Sequence, residues 1–432
     1  MQLQGILGSA TILLFLSPLI KAQDISSLAN SVQPQIERQL TEHVIPFWLE
    51  KTIDEENGGF LLNHDIEGKL LPNPTKMIVS QSRMIWLFAR LARAGYLPEQ
   101  HLAAAKQGFE FLKTRMWDPD HGGFFWEVSS TGTEIRKPKK HLYGQSFAIY
   151  ALAELARTTK DTEAIKLALR LFELLETHAY DPQYGGYLES FERDWARSPN
   201  KAPSYMGVNS GFKLMNTHLH LLESFTALYR AAPSERIRER LKELITIQSR
   251  TVVRPNLSAC TDKYTRSWKP VLNKGYERVS YGHDLENIWL LMDACKALEI
   301  PDALYLDLYE RLFSYSLTYG YDKINGGFYD SGLFNRLADR RDKVWWVQAE
   351  ALVAALYLYE ATGKEQYRTV FLKTHDWIEQ HQLDTTAGDW FSTIDPQGNP
   401  HGGKASPWKA GYHNGRALIE CLELLAQTAQ SR

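Results

Sequence analysis

Apolar residues recur at intervals of three and four positions over long stretches of the chain, which is the spacing of an amphipathic helix. Clear examples begin at Ser82, Gln145, Asn216 and Trp346. Gly or polar residues close several of these stretches, as they do at helix ends. The pattern therefore predicts a chain built mainly of helices joined by short connections.

A Gly-Gly motif returns between the helical stretches. It reads DEENGGF, DPDHGGF, DPQYGGY, DKINGGF and DTTAGDW, with leading residues Asp54, Asp118, Asp181, Asp322 and Asp384. Successive copies are 64, 63, 141 and 62 residues apart, so the wide gap contains two units, with a decayed motif near Leu257 to Trp268. Gly-Gly permits a tight turn with positive φ, and the Asp can accept hydrogen bonds from nearby backbone amides. Six units of helix, turn, short extended piece and helix are predicted.

Six helical hairpins can stack as an open solenoid or close into a ring. Closure is favoured because neither terminal unit has the polar capping sequence that an open stack needs. We therefore predict an all-α fold, an (α/α)6 barrel with short β-hairpins in its connecting loops, as a single catalytic domain over residues 24–432. The inner-helix ends and the loops should surround one central pocket.

The first 23 residues differ from the rest of the chain. From Gly5 to Ile20 they are almost wholly apolar, and Ala22 offers a small residue for cleavage before Gln23. This indicates a secretory signal peptide over residues 1–23, although no basic residue precedes the apolar part. An uncleaved anchor is the alternative. We expect a secreted or periplasmic protein, without a membrane partner once the peptide is removed, in preference to a cytoplasmic one.

Composition narrows the classes of partner and cofactor. A formal net charge of -2 over 432 residues leaves no basic footprint for nucleic acid. The three cysteines, Cys260, Cys295 and Cys421, are too few and too far apart for a disulfide framework or a zinc site. The 12 Trp and 21 Tyr suit both core packing and stacking on sugar rings. We expect a monomer that binds a small neutral molecule.

Four of the 13 histidines stand beside aromatic and polar residues at predicted helix starts: His218, His220, His283 and His413. A lone histidine is usually structural, but several on equivalent elements around a single hollow indicate a site. His218 and His220 project about 200° apart on a helix, so only one can face the pocket. Asn216 can face it together with His220.

A carboxylate follows His283 at helical spacing. Glu286 lies three residues later, so it can orient the imidazole, although a buried structural pair has the same spacing. A metal site is disfavoured, because His-x-His is poor ligand spacing on a helix and HExxH and paired CxxC motifs are missing from the sequence. We predict no metal.

Tryptophans begin another helix and precede the last histidine. Trp345 and Trp346 are followed by Glu350, and Trp408 lies five residues before His413. They can be packing residues, but together they favour the walls of a sugar site, since an aromatic ring covers the apolar face of a pyranose. Arg83 begins an apolar helix and is either a surface cation or a donor to an oxyanion.

With these motifs the chain resembles the N-acylglucosamine 2-epimerase superfamily and, within it, the cellobiose 2-epimerases. The resemblance spans essentially the whole chain after residue 23 and is carried by NTHLH, GHDLENIWL, KVWWVQAEAL and SPWKAGYHNGRALIE. It implies reversible inversion at C2 of the reducing-end glucose of β-1,4-linked disaccharides such as cellobiose, lactose or mannobiose. Ring opening and an enediolate would be the route, with no cofactor. Ala410-Gly411 departs from the bulkier or proline-containing pair expected there.

The resemblance also implies residue roles. His283 and His413 would be the acid/base pair, and His220 with Asn216 would hold the sugar near its C1 and ring oxygen. The other implied substrate-binding residues are Arg83 at the enediolate, the carboxylates Glu286 and Glu350, the tryptophans Trp345, Trp346 and Trp408, and Tyr143.

Three other functions remain open. One is a different sugar epimerase or an aldose–ketose isomerase, acting on free mannose or N-acylglucosamine. Another is glycoside hydrolysis on the same barrel, which needs two pocket carboxylates about 5–9.5 Å apart. The third is sugar binding without turnover.

Overall fold

Helices alternate between an outer and an inner layer along the chain in this computed structural model, which describes residues 28–72, 74–160, 162–273 and 275–430. The predicted signal peptide lies outside the described residues. The helices are α1 (residues 28–51), α2 (Ile78–Arg93), α3 (Pro98–Phe111), α4 (Leu142–Thr159), α5 (Thr162–His178), α6 (Met215–Ala231), α7 (Glu235–Thr246), α8 (Tyr281–Ala297), α9 (Leu306–Tyr319), α10 (Trp345–Thr362), α11 (Glu365–Trp377) and α12 (Tyr412–Gln430). A π-helical turn occurs within α1 at Gln39–Val44, and others extend α3, α7 and α11 at Leu112–Met116, Ile247–Thr251 and Ile378–Gln382.

The two layers differ in how much of each helix is apolar. α10 is buried without a break from Val347 to Leu356, as expected for a helix surrounded by others. α5 instead buries a stripe at spacings of three and four residues, with Ala164, Ala168 and Leu171 among its members. The even-numbered helices therefore form the inner layer and the odd-numbered helices the outer one.

The inner helices close into a ring. Each packs on the next, from α2 to α4 and on to α12, and α12 packs on α2. Each outer helix after α1 packs on the inner helix that precedes it, while α1 packs on α12. The predicted (α/α)6 barrel is confirmed. Among the described residues, no helix is both long enough and apolar enough to cross a bilayer.

Short antiparallel strands connect the loops that lead into the inner helices. They are β1 (Thr75–Met77), β2 (Glu127–Ser129), β3 (Ile135–Lys137), β4 (Lys140–His141), β5 (Ser190–Phe191), β6 (Lys213–Leu214), β7 (Val253–Arg254), β8 (Ala259–Cys260), β9 (Lys263–Tyr264), β10 (Arg278–Ser280), β11 (Ser331–Leu333), β12 (Lys343–Val344), β13 (Thr393–Ile394) and β14 (Pro400–His401). β2–β3, β7–β8 and β13–β14 are hairpins, as predicted. Other pairs join loops of neighbouring units, as when Thr75 of β1 faces Ser129 of β2. The strands thus fix the loops around one end of the barrel, which we call the mouth.

The aspartate of the repeated motif holds a turn and also a lysine. In the first unit Gly58 and Gly59 have φ of 79° and 70°, as predicted, and Asp54 Oδ1 accepts from the Asn57 amide at 3.0 Å. Asp54 Oδ2 accepts from the buried Nζ of Lys76 at 2.7 Å. The same ion pair recurs as Lys140–Asp118, Lys213–Asp181, Lys343–Asp322 and Lys404–Asp384. Each pair ties a turn to the chain near the start of the next inner helix.

The fourth residue of five inner helices makes a second repeated contact, here called the clamp. In α2, Gln81 accepts from the Phe60 N–H at 2.9 Å and donates to the Phe60 carbonyl at 2.8 Å. Gln145 in α4 and Gln348 in α10 repeat both bonds with Phe124 and Phe328. The corresponding residues of α6 and α8 are His218 and Asp284, which accept from the N–H groups of Tyr187 and Cys260. The clamp therefore fixes the register of these five inner helices against their preceding turns.

Candidate active site

Three of the predicted histidines lie together at the mouth, in a site that we call the cavity. The rings of His283 and His413 both contact Trp346, with centroid distances of 4.9 and 5.7 Å. His220 contacts the Tyr143 ring at 5.1 Å. His220 and His283 both act electrostatically on His413, so the three rings lie within reach of one another.

His413 is held by a carboxylate on the neighbouring inner helix. Its Nδ1 lies 2.6 Å from Glu350 Oε1. Glu350 Oε2 accepts from the indole of Trp289 at 2.7 Å, so both carboxylate oxygens act as acceptors. A carboxylate that accepts fixes the proton on Nδ1, which leaves Nε2 of a neutral ring free to take a proton. Burial and then the positive charges of Arg83 and Arg416 hold the pKa of His413 well below its usual value.

His283 has a different partner from the one expected. Glu286 Oε1 accepts from Arg416 at 2.8 Å, so the predicted His283–Glu286 pair is wrong. The carboxylate that acts electrostatically on His283 is Asp262. Asp262 also accepts a hydrogen bond from the backbone N–H of Asn216 at 3.1 Å. Burial lowers the pKa of His283 to about 4, although the Asp262 charge opposes this shift. Spacing within one helix could not reveal either contact, because both partners lie on other segments.

The two histidines of α6 separate as expected. His218 Nε2 accepts from the Tyr187 amide at 3.0 Å, and its Nδ1 donates to the Leu214 carbonyl at 2.8 Å, so this ring is structural. Nδ1 of His220 instead lies 3.0 Å from Glu223 Oε2. Only His220 belongs to the cavity.

A buried arginine that the sequence analysis did not single out connects the carboxylates. Arg416 is 1% exposed and donates at 2.8 Å to both Glu286 and Glu350. It also donates to Glu223 and to the hydroxyl of Tyr412, which in turn donates to Glu223. Arg416 therefore joins the carboxylates that orient His220 and His413 into one network, which we call the Arg416 hub.

The signals for these missed residues are present in the sequence. Glu223 follows His220 by three residues, the same spacing that was used for His283 and Glu286. Arg416 is a single cation among mainly apolar residues of a helix, the feature that pointed to Arg83.

Arg416 also lies beside a cluster of residues whose side chains are of the kind that bind metal ions. Glu286, Glu350 and His413 offer ligand atoms within 4.8 Å of one another, a grouping that can hold a metal ion. Here the guanidinium of Arg416 supplies the positive charge between the two carboxylates. One oxygen each of Glu286 and Glu350 is therefore bonded to a protein cation, while Oε2 of Glu286 has no partner among the described residues.

Arg83 lies in the wall of the cavity and bonds to the segment that carries Trp408. It is buried, and it donates to the Trp408 carbonyl at 2.8 Å and to the Tyr143 hydroxyl at 3.2 Å. Its guanidinium lies 4.3 Å from the ring centre of Phe147 and 4.9 Å from that of Tyr412. Arg83 is thus a fixed cation in the cavity wall and not a surface residue.

The predicted tryptophans occupy three different environments. Trp408 is 42% exposed at the rim and lies 6.1 Å from the ring of Tyr143. Trp346 is half-buried and contacts both His283 and His413, whereas Trp345 is buried and its ring centre lies 6.3 Å from that of His413. Trp408 and Trp346 therefore have ring surface available to a ligand, and Trp345 supports the wall from behind.

The arrangement suits proton transfer on a flat-sided polar ligand. Two imidazoles with lowered pKa values are neutral near pH 7, so each can act as a base. A buried arginine provides a site for developing negative charge. The carboxylates Glu223, Glu286 and Glu350 are all bonded to Arg416.

The chain is similar to known proteins over most of its length. The family model described as N-acylglucosamine 2-epimerase (GlcNAc 2-epimerase) matches residues 58–417. Cellobiose 2-epimerase of Ruminococcus albus is 34% identical over 399 residues, which cover 90% of this chain and 97% of that protein. The solved structure of cellobiose 2-epimerase from Bacillus thermoamylovorans B4167 has a TM-score of 0.84 at 29% identity, covering 91% of this chain and 99% of that one. D-mannose isomerase of Marinomonas mediterranea is 26% identical, covering 89% and 95%.

Proposed function

Because the chain belongs to the N-acylglucosamine 2-epimerase family, a family of carbohydrate epimerases, we propose that it inverts C2 of the reducing-end glucose of β-1,4-linked disaccharides such as cellobiose. The observation that carries this proposal is that the rings of His283 and His413 both contact the ring of Trp346. Two proton carriers are what an inversion at carbon requires, since the proton leaves one face and returns to the other.

The proposed reaction begins with ring opening, because the C2 hydrogen becomes acidic only when C1 is a free aldehyde. His220 and Asn216 are the groups proposed to hold the hemiacetal oxygens. Nε2 of one catalytic histidine then takes the C2 proton, and the electron pair of the C–H bond moves into an enediolate. The other histidine, which has taken up a proton from solvent at its free ring nitrogen before this step, delivers that proton to the opposite face of C2. This restores the aldehyde, leaves the epimer and exchanges the protonation states of the two histidines.

Arg83 is proposed to stabilise the enediolate. Its guanidinium is buried between two aromatic rings and anchored by the Trp408 carbonyl, so little reorganisation is needed as negative charge develops. Each positioned histidine is expected to contribute about 10²–10⁴-fold to the rate.

A disaccharide is proposed because the cavity has an aromatic surface beyond the histidines. The Trp408 ring is 42% exposed at the rim, and it lies 6.1 Å from the rings of Trp126 and Tyr143. A second sugar could stack there while the reducing end reaches the histidines.

The experiment is incubation of the purified protein in heavy water with cellobiose, lactose, mannobiose and free mannose. We expect the C2 epimer of a disaccharide, with deuterium at C2, whether or not a chelator is added. A ketose as the sole product, or turnover of free mannose alone, would favour the aldose–ketose isomerase, the second candidate because of the similarity to D-mannose isomerase. Glucose released from cellobiose would favour hydrolysis.

We also propose that the protein is exported, on the strength of the apolar run from Gly5 to Ile20. The amino-terminal sequence of the protein produced in a cell with a secretion system tests this. Cleavage after Ala22 is the expected result, and a chain that retains Met1 in the cytoplasm would contradict it.

A further inference from the structure

Asp284 is the exception among the five clamp residues. Gln81 supplies both an acceptor and a donor to Phe60, and Gln145 and Gln348 do the same in their units. His218 also uses one ring nitrogen as an acceptor and the other as a donor. An ionised aspartate can only accept. Asp284 therefore lacks a donor unless its carboxyl group holds a proton.

One oxygen of Asp284 lacks a partner in the described part of the chain. Oδ1 accepts from the Cys260 amide at 3.0 Å, whereas Oδ2 is buried and unbonded. The residue is 1% exposed. A buried carboxylate with a free oxygen is costly, whereas a carboxylic acid carries no charge and, like an amide, offers one acceptor oxygen and one donor group.

The surroundings of Asp284 contain ionisable groups but no counter-ion among the described residues. The thiol of Cys260 interacts with it from β8, Tyr281 from the start of α8 and Tyr315 from α9. Asn287, also on α8, is uncharged and donates to the Cys260 sulfur at 3.5 Å. Burial raises the pKa of Asp284 to about 7, against the opposing effect of hydrogen bonds from the backbone N–H and the thiol of Cys260.

The contact joins two parts of the candidate active site. Asp284 directly follows His283 in α8, and Cys260 lies two residues before Asp262, the carboxylate that acts on His283. The clamp thus connects the segment carrying Asp262 to the helix turn carrying His283.

We propose that Asp284 is a positioning residue that acts as a neutral carboxylic acid, holding the Cys260 segment and therefore Asp262 in register with His283. Its effect on catalysis rests on the proposed function, whereas its protonation and its effect on stability do not. Loss of the proton would remove the donor and leave an unpaired charge in the core. A group whose pKa is raised on folding stabilises the protein at low pH, and this contribution is lost as the pH rises through the folded pKa.

The test compares Asp284→Asn with Asp284→Ala. Asn keeps the acceptor and supplies the donor permanently, so we expect kcat at about pH 6 within about threefold of the parent and a weaker loss of activity at alkaline pH. The melting temperature of the Asn variant should match the parent near pH 5 and exceed it by at least about 2 °C above pH 8. Ala removes the bond to the Cys260 N–H at every pH, so kcat should fall at least about tenfold throughout the pH range. An Asn variant as impaired as the Ala variant, or unable to fold, would overturn the proposal.

Infrared spectroscopy reads the proton directly. The parent near pH 6 should show a carboxylic acid C=O band that is missing from Asp284→Asn, and the absence of this difference would overturn the proposal. Gln81→Glu is the matched control, because it places a carboxyl group at the equivalent clamp and should make stability fall with rising pH. If the protein does not epimerise sugars while the band and the stability shift are found, the proposed function fails and the role of Asp284 in positioning the segment stands.

Discussion

Replacing Arg416 with Met tests whether one cation organises the site. Met has no charge but fills much of the same apolar volume. The substitution leaves Glu223, Glu286 and Glu350 inside the barrel without the group to which all three are bonded. We expect both stability and turnover to fall.

The stability loss can be estimated from the charges left behind. Removing one partner of a buried ion pair typically costs about 3–5 kcal/mol. Two of the three carboxylates can become neutral by protonation, since burial raises the pKa of Glu286 to about 7 and that of Glu350 above its usual value. Glu223 is then the one carboxylate of the three left charged without its cation. In the parent its pKa is lowered by Arg416 and His220 against the effect of burial. A loss of about 3–5 kcal/mol near pH 7.5 is therefore expected, and not three times that amount.

The same reasoning gives the pH dependence. Without Arg416, burial should raise the pKa of Glu223 above its unfolded value, so the folded variant binds a proton that the unfolded chain releases. Such a group stabilises at low pH and loses its contribution as pH rises. The difference in unfolding free energy between the parent and Arg416→Met should thus shrink from about pH 8 to about pH 5. Guanidinium unfolding followed by tryptophan fluorescence measures it.

Turnover should fall about 10²-fold or more, because Arg416 positions the carboxylates of both His220 and His413. The assay is deuterium incorporation at C2 of cellobiose. Arg90→Met is the matched control, since Arg90 is also buried on an inner helix and bonds Glu420 and Glu423. It should lose stability but keep kcat within about twofold. Equal kcat for Arg416→Met and the parent, or equal losses for the two variants, would refute the reasoning.

Three further outcomes are expected. His283→Ala and His413→Ala should each lower kcat at least about 10²-fold with an unchanged circular dichroism spectrum, and a near-normal rate would exclude that histidine from proton transfer. Trp408→Ala should raise KM for cellobiose about 5- to 30-fold with a smaller effect on kcat, which a substrate titration measures. His218→Gln should keep kcat within about twofold, because Gln fills the same position in other units, whereas His220→Gln should lose at least about tenfold; equal effects would contradict the assigned roles.

The fold followed from the sequence because the repeat is local and regular. Helix periodicity and the Gly-Gly turns define each unit, and six units with no capping sequence favour a ring. The strand pairs between neighbouring loops could not be predicted in the same way. β1 and β2 have three residues each and are about 50 residues apart, so their pairing depends on how the helices pack and not on a strong local preference.

The site followed only in part, because its decisive contacts cross the barrel. His220, His283 and His413 were predicted from their residue type and their positions at helix starts, and the structure places them together. The spacing of Glu286 from His283 gave the correct helix face but the wrong partner. The actual partner of Glu286 is Arg416, which is 130 residues away in the sequence. A long-range ion pair of this kind leaves no periodic signal in either helix.

The repeat nevertheless contains a register that separates structural from functional positions. The fourth residue of five inner helices is the clamp, and the sixth lies two positions further on, so the two project on different sides of the helix. The sixth residues are Arg83, Phe147, His220, Glu286 and Glu350, and every one of them contacts the cavity network through a ring, guanidinium or carboxylate. Because the clamp fixes the helices independently, residues at the sixth position can change the chemistry of the cavity without changing the barrel. Alignment of these five units on the clamp would have assigned His218 to the scaffold and His220 to the site from sequence alone.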